Sequence, residues 1–112
     1  MIAKWEKTLN TKYAFDAFME DDDKQGLAHN LAFSIKMGLL RSLDRKLSEM
    51  EDKGVDRDSD EYYEVWAEAD KWRDVRQNLK DYANGEEWAD DFHTVMEEFY
   101  DLADFYRVEV AF

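Results

Sequence analysis

The chain of 112 residues has no cysteine and no proline, and only four glycines and two histidines. Without cysteine there are no disulfides, no thiolate metal ligands and no thiol nucleophile, a composition that fits a reducing compartment. Without proline nothing interrupts helical hydrogen bonding from within. Three of the glycines, Gly26, Gly54 and Gly85, fall between helix-patterned stretches as punctuation. No eighteen apolar residues run together, and the start (Met1, Ile2, Ala3, Lys4, Trp5, Glu6) lacks the basic-then-apolar layout of a signal peptide. The expectation is a soluble, cytoplasmic protein. The last shortage is local: from Glu86 to Asp104 there is not one Lys or Arg.

What is present is 45% apolar residues, 15% aromatics and 38% charged residues. That apolar share is too high for a chain held open by its charges, so the sequence should fold, as one helical domain over 1–112. The net charge of −13, from 28 acidic and 15 basic residues, argues against direct contact with nucleic acid or an anionic membrane. Residues 86–112 carry −8 of it.

Periodicity indicates an all-α fold. Leu27, Leu31, Ile35, Leu39, Leu43, Leu47 and Met50 recur every three or four residues between Asp23 and Lys53, which reads as one long helix closed by Gly54. Gly38, inside it, marks a close helix approach. Asp58 with Glu61 resembles a capping box. It opens a second long helix whose face is Tyr62, Val65, Ala69, Trp72, Leu79 and Ala83. Paired antiparallel through the intervening loop, the two helices match apolar against apolar. Asn84, with Glu87 three residues on, reads as the cap of a third long helix that lies back along the other two. A short helix from Thr11 to Met19 covers one end, giving an antiparallel bundle of three long helices plus a short N-terminal one. The alternation of Val108, Val110 and Phe112 adds a short extended tail over 107–112.

The third helix carries the strongest functional signal. Glu86, Glu87, Asp90, Asp91, Glu97, Glu98, Asp101 and Asp104 fall within an arc of about 140° on a helical wheel, and Trp88, Phe92, Val95, Met96, Phe99, Leu102 and Tyr106 fill the arc from about 160° to 280°. As one helix the run is about 27 Å long, with a carboxylate roughly every 3.4 to 3.9 Å, close to the phosphate spacing of a B-DNA strand. An ordinary solvated face mixes Glu with Lys to gain a few tenths of a kcal/mol per pair. This run forgoes that gain, and Asp101 and Asp104 oppose the helix dipole.

Other constellations are incomplete. Asp90, His93 and Glu97 form half a metal site at most, since His29 has Gln25 and Gly26 where a matching acid is needed. Asp56, Asp58 and Asp60 spell the start of a calcium loop. Glu61 and Ala67 then stand where that loop requires Gly and a bidentate Glu. No nucleophile elbow, phosphate loop or dinucleotide fingerprint occurs. Paired carboxylates on a solvated face have nothing to raise one pKa for acid catalysis. Neither an enzyme nor a cofactor is expected. Tyr63, Trp66, Tyr82 and Tyr100 sit at the edges of their apolar faces and are candidate aromatic anchors for a partner.

These features together point to a non-catalytic binding protein that presents phosphate-like acids to the basic surface of a nucleic-acid-binding protein. In charge and size the chain resembles the DNA-mimic inhibitors that phages and mobile elements use against restriction and CRISPR nucleases. The competing expectation is a helical adaptor or assembly factor, a homodimer or larger homo-oligomer, with its interface made by the aromatics and its acids serving solubility.

Overall fold

A computed structural model describes residues 7–111. In chain order the elements are β1 (Lys7–Asn10), α1 (Lys12–Asp21), α2 (Lys24–Ser34), a π-helical segment (Ile35–Leu40), α3 (Arg41–Asp52), α4 (Asp60–Ala83), α5 (Phe92–Phe105) and β2 (Val108–Ala111). The molecule is mostly helical, with a small two-stranded parallel sheet.

The first long helix is continuous but not uniform. Right-handed helical backbone runs from α2 through Ile35 and Leu40 into α3, and the Arg41 N–H reaches back five residues to the Lys36 carbonyl. The spacing of the leucines supplies the reason. Leu27, Leu31, Ile35, Leu39, Leu43 and Leu47 stand four apart, so on an unbroken α-helix each step drifts about 40°, or about 200° over the series. A wider π turn takes up part of that drift, and all six side chains are buried. Gly38 lies inside the π segment, and a Cβ there would come within 3.1 Å of Leu9 Cδ1. The close approach expected at this glycine is therefore made by strand β1, not by another helix.

Helix ends follow local chemistry. Asp23 caps α2, its side chain accepting from the Gly26 N–H. Ser59, not Asp58, caps α4 by accepting from the Tyr62 N–H, while Asp58 donates its own N–H to Asp56. After α4 the chain takes a Schellman turn: the Gly85 N–H bonds Tyr82 O, the Glu86 N–H bonds Asp81 O, and Gly85 has φ +72. The same pair of bonds closes α3 at Gly54 and Val55.

Contacts between the long helices run in opposite order along the two segments, as an antiparallel return requires. Tyr62 donates its hydroxyl to Glu51, Arg73 pairs with Asp44 at 2.7 Å, and Gly85 lies beside Gln25. The core fills between them. Trp72 and Leu79 from α4 and Val95 and Phe99 from α5 join the leucines of the first rod, all at 2% exposure or less for these four. The Trp72 and Phe99 rings meet edge to face at 6.2 Å.

Val108–Ala111 forms the strand that the alternation of 107–112 predicts, while Phe112 lies outside the described residues. Its partner β1 was not anticipated: Lys7 pairs with Val108 and Asn10 with Ala111 in a parallel register. Arg107, at φ 55, turns the chain from α5 into β2. Two features fasten β1. Buried Thr11 donates both its N–H and its hydroxyl to Ala111 O, and Lys7 donates to both oxygens of Glu68, a carboxylate only 7% exposed on α4. Among the described residues no helix is long and apolar enough to cross a membrane.

Candidate functional site

The eight acids of the run do not lie on one helix. Helix α5 begins at Phe92, and residues 86–91, a turn and irregular backbone, follow the Schellman stop at Gly85. Glu86, Glu87, Asp90 and Asp91 belong to this turn region, whereas Glu97, Glu98, Asp101 and Asp104 are on α5. The unbroken 27 Å stripe is thereby corrected to a helical segment of four carboxylates, about 10.5 Å from the first to the last, preceded by an acidic loop. Two local causes act together. A glycine at positive φ ends α4, and a continued helix would set Glu86 against Asp90 and Glu87 against Asp91 at the destabilising four-residue spacing.

The eight also divide by role. Asp91 is the N-cap of α5, its carboxylate accepting from the Thr94 N–H at 2.8 Å, and that bond holds the Asp91 carboxyl below its ordinary pKa. The cap expected at Asn84 is thus supplied seven residues later. Glu98 is half-buried and accepts from Asn78 Nδ2 at 2.9 Å across the α4–α5 seam. Glu97 lies 3.2 Å from His93 Nε2. Among the described residues, Glu86, Glu87, Asp90, Asp101 and Asp104 have no side-chain hydrogen bond or ion pair, and all but half-buried Glu86 are exposed.

Sequence spacing missed acids that tertiary packing adds. Asp74 of α4 joins Glu98 and Asp101 at a groove of about 410 Å³ between α4 and α5, floored by Val75 and Leu102 and edged by Lys71 and Phe105. Asp81, near the end of α4, accepts from Trp88 Nε1 at 3.2 Å. Trp88 itself is corrected: expected on the core face, it is 72% exposed, because the turn around it is not helical. Asp74 and Asp81 share one face of α4 at a seven-residue interval, the one signal that could have placed them together.

The aromatic candidates separate as well. Tyr63 and Trp66 are exposed on α4, their rings 6.0 Å apart. Tyr82 is half-buried against Phe92 at 5.7 Å and serves packing. Tyr100 packs edge to face on Phe99 at 5.2 Å and borders a groove between α5 and β2; partial burial raises its phenol pKa. Among the described residues no group of three or more His, Asp or Glu side chains is placed to hold a metal ion.

Asp91 makes one outcome measurable. Its carboxyl pKa is lowered in the fold, so its contribution to stability is complete above the unfolded carboxylate pKa and is lost as pH falls through the folded value. Acid titration followed by NMR should show amides of the first turn of α5, Thr94 above all, losing protection at a pH below 3.8, the ordinary aspartate value. In Asp91→Asn, whose amide oxygen still caps, that pH step should vanish. A step that persists in the variant would assign it to another carboxylate.

No family model, curated protein or solved structure matches this chain.

Proposed function

We propose that this chain is a small non-catalytic inhibitor, acting in the cytoplasm, that occupies the basic site of a nucleic-acid-binding protein by offering carboxylates in place of phosphates, in the manner of phage anti-restriction and anti-CRISPR proteins. The observation that carries this reading is the set of acids left without counter-charges on the loop 86–91 and on α5, in a chain that elsewhere pairs Lys12 with Asp16, Arg57 with Glu51 and Arg73 with Asp44. Glu97, Glu98, Asp101 and Asp104 place charges about 3.5 Å apart on average along the α5 axis, still near the spacing of phosphates in one strand. A partner's lysines and arginines would meet them with the salt-sensitive, long-range attraction that DNA supplies.

The roles of the individual acids choose the test. Reversing Glu87, Asp90, Asp101 and Asp104 to Lys leaves the Asp91 cap and the Glu98–Asn78 bond intact and moves the net charge from −13 to −5. A basic protein captured from host lysate at low salt by the native chain should be competed off by duplex DNA. Its affinity should fall at least about tenfold between 50 and 200 mM salt. The reversed chain should keep its helical circular dichroism and lose the partner. Capture that survives reversal, high salt and DNA would overturn the proposal.

A second reading, the helical homo-oligomeric adaptor, is favoured by the exposed Tyr63 and Trp66 rings, an aromatic pair of the kind that anchors interfaces. It requires a stable oligomer by light scattering that is indifferent to salt and broken by Trp66→Ala.

A further inference from the structure

Both edges of the two-stranded sheet carry outward backbone groups, but they differ in charge. On the β1 side the outward groups are those of Thr8 and Asn10, beside a groove that Lys7 and Lys46 make cationic, so a basic segment is disfavoured there. The register determines what β2 exposes on the other side. Ala111 O accepts from the Thr11 N–H, so the peptide groups of Ala111 point to β1, and those of Glu109, two residues earlier, point the same way. By the same alternation the N–H and C=O groups of Val108 and Val110 point outward. Among the described residues nothing outside the strand pair bonds to them.

That open edge runs beside a groove of about 310 Å³ lined by Tyr100, Ala103, Asp104, Val108, Glu109 and Val110. Its interior is apolar, from the two valines, Ala103 and the face of Tyr100. Its rim is anionic, from Asp104 and Glu109. Free backbone donors and acceptors in a row, a shallow apolar trough beside them and an acidic rim are the three things an extended basic peptide needs. The ladder gives affinity, alternate side chains enter the trough, where a basic one at its margin meets Asp104, and the basic side chains between them face Glu109 on the other side of the strand.

We propose that the outer edge of β2 and its groove against α5 receive an extended, basic segment of a protein partner as a third strand of the sheet. This deepens the phosphate-mimic reading and rests on it for the charge of the partner. It also gives the acids of α5 a fixed register against that partner, since a backbone ladder sets which residue lies opposite which.

The test uses the full chain and a synthetic ten-residue peptide alternating Val and Lys, with a Val and Thr peptide as the neutral counterpart. In the free chain, the amides of Val108 and Val110 should exchange with solvent quickly and those of Glu109 and Ala111 slowly. With saturating Val-Lys peptide, exchange at Val108 and Val110 should slow by at least about tenfold. Val110→Pro removes an outward N–H that β1 does not use and suits an edge position. It should keep the circular dichroism of the native chain and weaken the peptide by about tenfold.

Slow exchange at Val108 and Val110 in the free chain, or no binding of either peptide, would overturn the proposal. Binding of the Val-Lys peptide that shifts resonances around Asp101 and Asp104 without slowing exchange on β2 would overturn strand addition while leaving the phosphate-mimic reading in place. Slowing at Val108 and Val110 by both peptides alike, independent of salt, would establish strand addition and remove the charge argument that links it to that reading.

Discussion

Truncating Phe99 to Ala should cost about 3 to 5 kcal/mol of unfolding free energy, a loss comparable with the whole stability of a marginal domain. Phe99 is fully buried, with its ring against Trp72 on α4 and Tyr100 on its own helix. With Val95 and Ala103 it carries α5 into the core, and removing it leaves a cavity beside Trp72 that a close-packed interior does not refill. Denaturation in urea, followed at the far-ultraviolet helical signal, should show a lower midpoint with an unchanged slope. Phe105→Ala is the control. It makes the same chemical change six residues along the same helix, but Phe105 is 70% exposed, with Lys71 at 5.4 Å from its ring. That substitution should cost no more than about 1 kcal/mol. Equal losses in the two variants would mean that α5 is not seated as described.

The second large effect is expected where β1 is fastened. Lys7→Met removes the cation facing Glu68 and leaves a carboxylate in the α4 wall that is only 7% exposed. Breaking a buried pair from one side is costly because the remaining charge keeps its desolvation penalty. Since the Lys7 side chain is itself 31% exposed, water softens the loss, and about 2 kcal/mol is expected, or a fall of about 8 °C or more in Tm for a domain of this size. Restoring consistency should restore stability. The double variant Lys7→Met, Glu68→Leu should recover most of the loss, because two apolar side chains of similar reach replace the pair without stranding a charge. If Lys7→Met alone is neutral, the pair does not hold β1 to the bundle.

Several features of the fold are legible residue by residue. The glycines announce the stops after α3 and α4, because only a residue that accepts positive φ completes a Schellman turn there without strain. The five four-residue steps from Leu27 to Leu47 are a legible warning as well. A series four apart cannot stay on one face of an ideal α-helix, and the π segment at Ile35–Leu40 is how the chain keeps it buried. The wheel of the acidic run is sound where the helix exists. It places Val95 and Phe99 in the core arc, as their burial bears out. It fails at Trp88, because a wheel assumes the helix it is drawn on.

The start of α5 shows how a local signal can be outranked. Asn84 and Glu87 have the residue types of a cap and its third position, but Asn84 is already the last residue of the α4 stop, and Asp91 before Phe92 offers a carboxylate to the Thr94 N–H. The candidate site changes accordingly, from one continuous charged ruler to a loop and a short helix whose acids have separate duties.

Helix content, the helix stops at Gly54 and Gly85, the charge excess near the C-terminus and the tail's extended character follow from the chain alone, since each depends on residues within a turn or two of one another. The pairing of β1 with β2, the burial of Glu68 under Lys7, and the arrival of Asp74 beside Glu98 and Asp101 join residues far apart in the chain. Those were settled only when apolar faces closed on one another, because burial, and not any local preference, fixes which distant segments meet.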